Sequence, residues 1–199
     1  MTEPTTFKEW LPEIDFNSFP YPMLVAGGAL RDSWFEKDVT DVDLFIGVPG
    51  DLIRECWEAK KFSVHRDGYV VRPSSWISVS IPSALRVNNF INFKVDFDGE
   101  YDAGDFVSGR SSTHPGLNVI LFEHEGTEKE LADKLFDKFP CSISRIAWSP
   151  KSDEWYIHDS FKKSASTKII GFHESVVYGT KYYSKIFPKY AGEWGMTHE

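Results

Sequence analysis

The sequence predicts an α/β (α+β) fold, a mixed or mostly antiparallel sheet with helices packed mainly on one side. Three observations support it. Short apolar runs end at glycine or proline, apolar residues have helical spacing in two segments, and in one segment they recur at every second position. The chain is 41% hydrophobic and 16% aromatic, which is enough to bury a core. Its 199 residues suit a single domain, 1–199, in which 160–199 either belong to the body or form a C-terminal appendage.

The first part of the chain is predicted to run from a lead-in through strand, turn, helix and strand. Residues 29–37 have helical spacing, with Leu30 and Trp34 facing inward. In 40–47, one side of the predicted strand has Val42, Leu44 and Ile46, and the other has Asp41, Asp43 and Phe45. The elements predicted here are a short helix at 7–11, a buried strand at Met23–Ala26, a helix at 29–37, a strand at 40–47 and a helix at 49–60.

The second part is predicted to be mainly strands with one clear amphipathic helix. That helix is 128–139, with Leu131, Leu135 and Phe136 inward. The glycine- and serine-rich stretch 98–115 is predicted to be a long loop. The predicted strands are 68–71, 76–81, 90–97, 117–122, 142–148 and 154–158.

The net charge is −8, from 22 basic and 30 acidic residues. An acidic surface repels phosphate backbones at long range, and no basic run offsets it, so an RNA partner is not favoured. The N-terminus lacks the basic start and apolar core of a signal peptide, and no window has the roughly 18 apolar residues of a membrane span. We therefore expect a cytoplasmic protein with no membrane partner.

A Gly-Gly pair follows the first predicted strand. Gly27 and Gly28 permit a sharp turn and let a ligand approach the backbone closely. The helix that follows directs its free N–H groups at the turn, which is a generic site for an anion such as a triphosphate. Arg31, in the first helical turn, can add a bidentate phosphate contact, and Asp32 can orient Arg31 or bond to nearby backbone.

Two aspartates, Asp41 and Asp43, stand one residue apart at the start of the next strand. Alternate strand residues point the same way, so the two carboxylates should lie side by side. Their mutual repulsion is relieved by a divalent cation, and Mg²⁺ prefers one or two carboxylates together with phosphate oxygens. The pattern therefore predicts a site for Mg²⁺, or Mn²⁺, facing a bound nucleoside triphosphate.

The segment 25–46 resembles the head of the DNA polymerase β-like nucleotidyltransferase superfamily. It is most similar to the branch of CCA-adding enzymes, bacterial poly(A) polymerases and small phage nucleotidyltransferases. The pattern there is an apolar strand, Gly-Gly-x-x-Arg-Asp, a short helix and Asp-x-Asp in a second strand, matched here at Gly27, Gly28, Arg31, Asp32, Asp41 and Asp43. The resemblance implies that Asp41 and Asp43 bind the metal, and that Gly27, Gly28 and Arg31 hold the triphosphate.

The chain departs from that pattern at three points. Glu36 stands where the family often has glycine, and Thr40 where it often has a basic residue. A third carboxylate, carried by many members on a later strand, is not evident. Asp96 or Asp98 could serve, and Asn118 is a further candidate position that would supply a neutral ligand.

The implied reaction is transfer of a nucleoside monophosphate from an NTP such as ATP, with release of pyrophosphate. The acceptor stays open between an RNA 3′ end, a protein and a small molecule. The alternative is a catalytically weak or inactive nucleotide-binding regulatory module, which the missing third carboxylate and Glu36 favour slightly.

Overall fold

In a computed structural model, the described residues are 4–11, 15–51, 65–66, 69–70, 95–96, 106–111, 116–173 and 181–198. Four helices have described bounds, and each has 7 to 11 residues, well below the roughly 20 that span a bilayer. They are α1 (Gly28–Trp34), α2 (Glu128–Lys138), α3 (Asp159–Thr167) and α4 (Lys181–Tyr190). The strands are β1 (Met23–Ala26), β2 (Val42–Val48), β3 (His65–Arg66), β4 (Tyr69–Val70), β5 (Val95–Asp96), β6 (Phe106–Ser111), β7 (Leu117–Glu123), β8 (Ile146–Trp148), β9 (Trp155–Ile157), β10 (Ile169–Phe172) and β11 (Gly195–His198).

Seven strands form the main sheet, in the order β5-β6-β7-β2-β1-β8-β9. β2 and β7 run parallel, and the other neighbouring pairs are antiparallel. The expected mixed, mostly antiparallel sheet is therefore confirmed. The apolar strands β1 and β2 occupy its middle, where both faces are covered, which explains why β1 is buried at every position.

Alternation along the strands separates two apolar layers. Val25, Leu44 and Val119 belong to the layer under α1 and α3, which also contains the short 3₁₀ helix Thr6–Trp10. Leu24, Phe45 and other alternate residues lie on the opposite face under α2. A third cluster joins α4 and β10 to the end of α1 through Phe35. The helices thus pack mainly on the α1 face, as predicted.

One predicted loop is wrong. Residues 106–111, inside the predicted loop 98–115, form β6, which pairs with β5 on one side and β7 on the other. Glycine and serine weaken an isolated strand, but two hydrogen-bonded neighbours override that preference. The predicted strand 142–148 is also partly wrong, because a 3₁₀ turn occupies Ser142–Ser144 and only Ile146–Trp148 is extended.

The predicted helix 29–37 ends earlier, at Trp34. Glu36 adopts φ of 55°, and the Lys37 amide donates to the Asp32 carbonyl at 2.8 Å. This left-handed closure is typical of glycine, and here Glu36 provides it where the helix ends. The predicted strand 76–81 and residues 52–60 of the predicted helix 49–60 lie outside the described residues, as do half of 68–71 and most of 90–97.

Candidate active site

The Gly-Gly turn and the two aspartates meet at one end of the central strand pair. β1 and β2 are antiparallel, with Val25 opposite Leu44. Continuing that register by one residue places Ala26, the last residue of β1, opposite Asp43. Directly opposed residues have Cβ atoms about 5 Å apart. The backbone therefore brings the start of the Gly-Gly turn next to Asp43, which follows Asp41 by two residues.

Gly27 has a conformation that other residues rarely adopt, with φ of 81° and ψ of −124°. Its amide donates to the Ile146 carbonyl of β8 at 3.0 Å, which ties the turn to the sheet. An added Cβ would lie 3.4 Å from the Phe139 ring, at ordinary contact distance. Backbone strain, and not space, is therefore the reason for glycine at position 27.

Asp43 is half-buried on β2, and Asp41 is exposed immediately before that strand. The Asn118 amide nitrogen, on the neighbouring parallel strand β7, donates to Asp43 Oδ1 at 2.8 Å. Asp41 Oδ1 accepts from the Thr40 hydroxyl at 3.3 Å. Asp43 is thus held in a fixed orientation, whereas Asp41 is accessible to a ligand from solvent.

The register distinguishes the candidates for a third ligand. Asp43 pairs with Asn118, Asn118 with Arg110, and Arg110 with Asp96. Neighbouring strands are about 4.8 Å apart, so the Asp96 backbone lies roughly 14 Å from that of Asp43. Asp98 lies outside the described residues. Among the described residues, Asn118 is therefore the candidate that adjoins Asp43, and Asp96 is too distant to share an ion with it.

Arg31 and Asp32 form a buried ion pair behind the turn. Arg31 Nε donates to Asp32 Oδ1 at 2.6 Å, and Arg31 Nη1 donates to the Ser144 hydroxyl at 3.2 Å. Arg31 Nη2 lies 3.6 Å from the position that a Cβ would take on Gly28. The side chains are only 8% and 4% exposed, so the arginine charge is fixed directly beneath the turn.

Two residues of α4 complete the coordination of Asp32. The Tyr190 hydroxyl donates to Asp32 Oδ1 at 2.9 Å, and Lys189 Nζ donates to Asp32 Oδ2 at 2.6 Å. Burial by itself would raise the pKa of Asp32, but the hydrogen bonds and charge of Arg31, with the bonds from Lys189 and Tyr190, hold it below its usual value. Burial, reinforced by the Asp32 carboxylate, raises the pKa of Tyr190, so its hydroxyl stays a proton donor.

The sequence pattern placed Arg31 beside Asp32, and the structure has them in contact. Sequence reasoning missed Ser144, Lys189 and Tyr190. Lys189 and Tyr190 follow Pro188 in a tail whose aromatic and basic residues match no motif. The available signal was indirect: a buried aspartate requires more than one donor, and the unassigned tail contained donors.

The donor chemistry at the strand ends suits a hard divalent cation. Among the described residues, no group of three or more His, Cys, Asp or Glu side chains is placed to hold a metal ion. Mg²⁺ does not need such a group, because it keeps several waters and binds through one or two carboxylates plus substrate phosphates. Asp41 and Asp43 together with a triphosphate therefore make a chemically adequate set.

Comparison with protein-family models finds no match, and no curated protein matches the sequence. Several solved structures have a similar backbone. A tRNA-processing enzyme in its apo form I is 13% identical over 86% of this chain, with a TM-score of 0.46. A CCA-adding enzyme in complex with ATP is 12% identical over 76%, with a TM-score of 0.42. The Thermotoga maritima CCA-adding enzyme complexed with tRNA is 14% identical over 75%, with a TM-score of 0.40.

This chain spans 38%, 28% and 28% of the lengths of those three proteins, respectively. The similarity is one of fold alone. The residues of this chain, and their arrangement around the Gly-Gly turn, are what bear on its chemistry.

Proposed function

We propose that this protein is a Mg²⁺- or Mn²⁺-dependent nucleotidyltransferase that moves a nucleoside monophosphate from an NTP to an acceptor, with release of pyrophosphate. The observation that supports it most directly is the register of β1 and β2, in which the residue before Gly27 lies opposite Asp43. An anion pocket and a pair of carboxylates at one strand end are the two parts that this reaction requires.

The triphosphate would lie against the turn. Gly27 permits the turn through its positive φ, Gly28 has no side chain beside Arg31 Nη2, and the buried Arg31 guanidinium provides positive charge beneath the phosphates. Asp32 supports this arrangement by fixing Arg31 Nε. These residues bind and orient the phosphates.

Asp41 and Asp43 would hold the metal ion. When bound, the ion neutralises charge on the phosphates and lowers the pKa of the attacking group. The hydrogen bond that the Asn118 amide donates fixes the orientation of the Asp43 carboxylate across the neighbouring strands β2 and β7. The exposure of Asp41 leaves room for the acceptor and the NTP to approach from solvent.

The acceptor could be an RNA 3′ end, a protein side chain or a small molecule. The net charge of −8 disfavours a long RNA, because binding it would require a basic patch to overcome the repulsion. A protein or a small molecule with a hydroxyl group fits the charge of the chain better.

The test is transfer of label from α-labelled NTPs to components of a cell extract, with Mg²⁺ or Mn²⁺. We expect transfer by the wild-type protein, and a loss of about 100-fold or more in Asp41→Asn and in Asp43→Asn. Asp133→Asn is the matched control, because Asp133 is an exposed carboxylate on α2 that pairs with Lys129 at 2.8 Å. Transfer that is unchanged in both site variants would contradict the assignment.

One observation favours a second function, a nucleotide-binding regulatory module with weak or no turnover. The neighbour of Asp43 is the neutral Asn118, and Asp96 is too distant to replace a third carboxylate. Among the described residues, Asn118 provides no general base at this position, and without one proton removal from the acceptor would be slow. The same experiment separates the two functions, because a module binds NTP and transfers label to no extract component.

A further inference from the structure

We propose that α4 completes the triphosphate site, with Lys189 and Tyr190 acting as positioning residues that set Arg31 through Asp32. The inference rests on the proposed function, because Arg31 is assigned there to the phosphates. It gives a role to the C-terminal segment, which carries no recognisable motif.

A continuous series of hydrogen bonds leads from α4 through Asp32 to Arg31, next to the turn. Tyr190 and Lys189 each donate to a different oxygen of Asp32, at 2.9 and 2.6 Å. The oxygen that Tyr190 contacts, Oδ1, also accepts from Arg31 Nε at 2.6 Å. The Tyr190 ring also lies 5.6 Å from the Arg31 guanidinium carbon, so α4 contacts the arginine directly as well as through Asp32.

The charges of Arg31, Asp32 and Lys189 together favour an anion at the turn. Arg31 and Lys189 carry two positive charges and Asp32 one negative charge, which leaves a net charge of +1 among the three side chains. Arg31 and Asp32 are buried, and Lys189 is 30% exposed, so solvent screens this charge only in part. Without Lys189, Arg31 and Asp32 would cancel each other, and the attraction for a phosphate would weaken.

Orientation depends on the same contacts. A carboxylate held at both oxygens by three donors has little freedom to rotate, and it therefore fixes the plane of the guanidinium bound to it. Arg31 Nη2 is the end of that plane nearest Gly28. Loss of the Tyr190 hydroxyl would allow Asp32 to turn, and the guanidinium would no longer be held at the turn.

The test is equilibrium binding of the four NTPs to the full chain. Binding is measured from the fluorescence of a labelled NTP and from its displacement by each unlabelled NTP. We expect Tyr190→Phe and Lys189→Gln each to weaken NTP binding roughly tenfold, as expected for one lost hydrogen bond to a charged group. Lys189→Arg should bind as tightly as the wild-type protein, because it keeps the charge and a donor at that position.

A double-mutant cycle separates positioning from a general effect on the fold. In an Arg31→Gln background, Tyr190→Phe should produce no further loss of affinity, because the residue that it positions is gone. Lys129→Gln is the matched control, because it removes one side-chain contact to a carboxylate, at 2.8 Å near the start of α2, and should not change NTP binding.

The outcomes are distinct. Wild-type binding of NTP with unchanged affinity in Tyr190→Phe and Lys189→Gln would overturn this inference and leave the proposed function standing. An equal loss for Tyr190→Phe in the wild-type and Arg31→Gln backgrounds would also overturn it, because the effect would then not pass through Arg31. Failure of the wild-type protein to bind any NTP, with or without Mg²⁺, would overturn the inference and the proposed function together.

Discussion

Asp32 is a buried carboxylate whose stabilising effect depends on its ionisation. Its pKa is lowered in the folded protein, so the contribution is complete above the usual value of 3.8 and is lost as the pH falls below it, through the folded pKa. We expect Asp32→Asn to lower the free energy of unfolding at pH 7 by about 3 kcal/mol, because Arg31 and Lys189 lose their shared counter-ion. Below pH 3.8 the difference from wild type should shrink.

Urea unfolding of the two proteins from pH 7 down to pH 3 measures this difference. Asp133→Asn is the matched control, because Asp133 pairs with Lys129 at 2.8 Å while both side chains are exposed, and such pairs contribute little. A destabilisation by Asp32→Asn that is constant over the pH range would show that the ionised carboxylate is not its source.

Glu36 provides a second prediction for a single residue. Its φ of 55° is a left-handed conformation that strains a side chain with a Cβ. Glu36→Gly removes that strain, and we expect a gain of about 0.5 kcal/mol in the free energy of unfolding after the entropy cost of glycine. Glu125→Gly, at an exposed position without positive φ, should give no gain in the same urea titration. A gain at both positions would point to a cause other than backbone strain.

The limit of sequence reasoning is clearest in the contacts of Asp32. Its neighbour Arg31 could be predicted because one helical turn fixes where adjacent residues lie. Lys189 and Tyr190 are 157 and 158 positions away, and their place depends on how α4 packs. Local pattern contains no information about such a contact, although the burial of a charged residue indicates that partners must exist.

At the scale of elements, α2 begins with a complete capping box. The Glu130 amide donates to the Thr127 hydroxyl at 3.3 Å, and the Thr127 amide donates to Glu130 Oε2 at 2.8 Å. These bonds lower the pKa of Glu130. We expect Thr127→Ala to lower the free energy of unfolding by about 1 kcal/mol, because the first turn loses its cap.

Urea denaturation measures the effect of Thr127→Ala, with Thr167→Ala as the control. Thr167 lies at the end of α3, where its hydroxyl donates to the Lys163 carbonyl and caps no amide. The control should cost clearly less. Equal losses in the two variants would argue against a capping contribution at Thr127.

Elements that carry their own signal were predictable, and elements defined by their neighbours were not. β1, β7 and α2 show apolar runs or helical spacing, and the structure has them close to the predicted bounds. β6 contains Gly109 and two serines, and it is a strand because β5 and β7 flank it. The adjacency of the Gly-Gly turn and Asp43 followed from the order strand, turn, helix, strand, whereas Asn118 as the partner of Asp43 required the parallel register of β2 and β7.

At the scale of the whole molecule, an acidic chain with net charge −8 is proposed to bind a ligand that is also negatively charged. Long-range repulsion then opposes the NTP, and binding depends on the local positive charge at the turn and on the metal ion held by Asp41 and Asp43. Because a ligand of the native state stabilises it by mass action, an NTP with Mg²⁺ at 100 times its Kd should add about 2.7 kcal/mol to the free energy of unfolding.

Thermal unfolding with and without NTP and Mg²⁺ tests this dependence. We expect the wild-type Tm to rise with NTP concentration and to rise further when Mg²⁺ is added, because the ion relieves the repulsion between the carboxylates and the phosphates. Asp43→Asn should retain a shift with NTP alone and lose the additional shift with Mg²⁺, since the phosphate pocket is intact and a metal ligand is missing. Asp133→Asn should behave as wild type, because its carboxylate is exposed on α2 and pairs with Lys129. A full Mg²⁺-dependent shift in Asp43→Asn would place the ion elsewhere on the molecule and remove the basis for a catalytic role of Asp43.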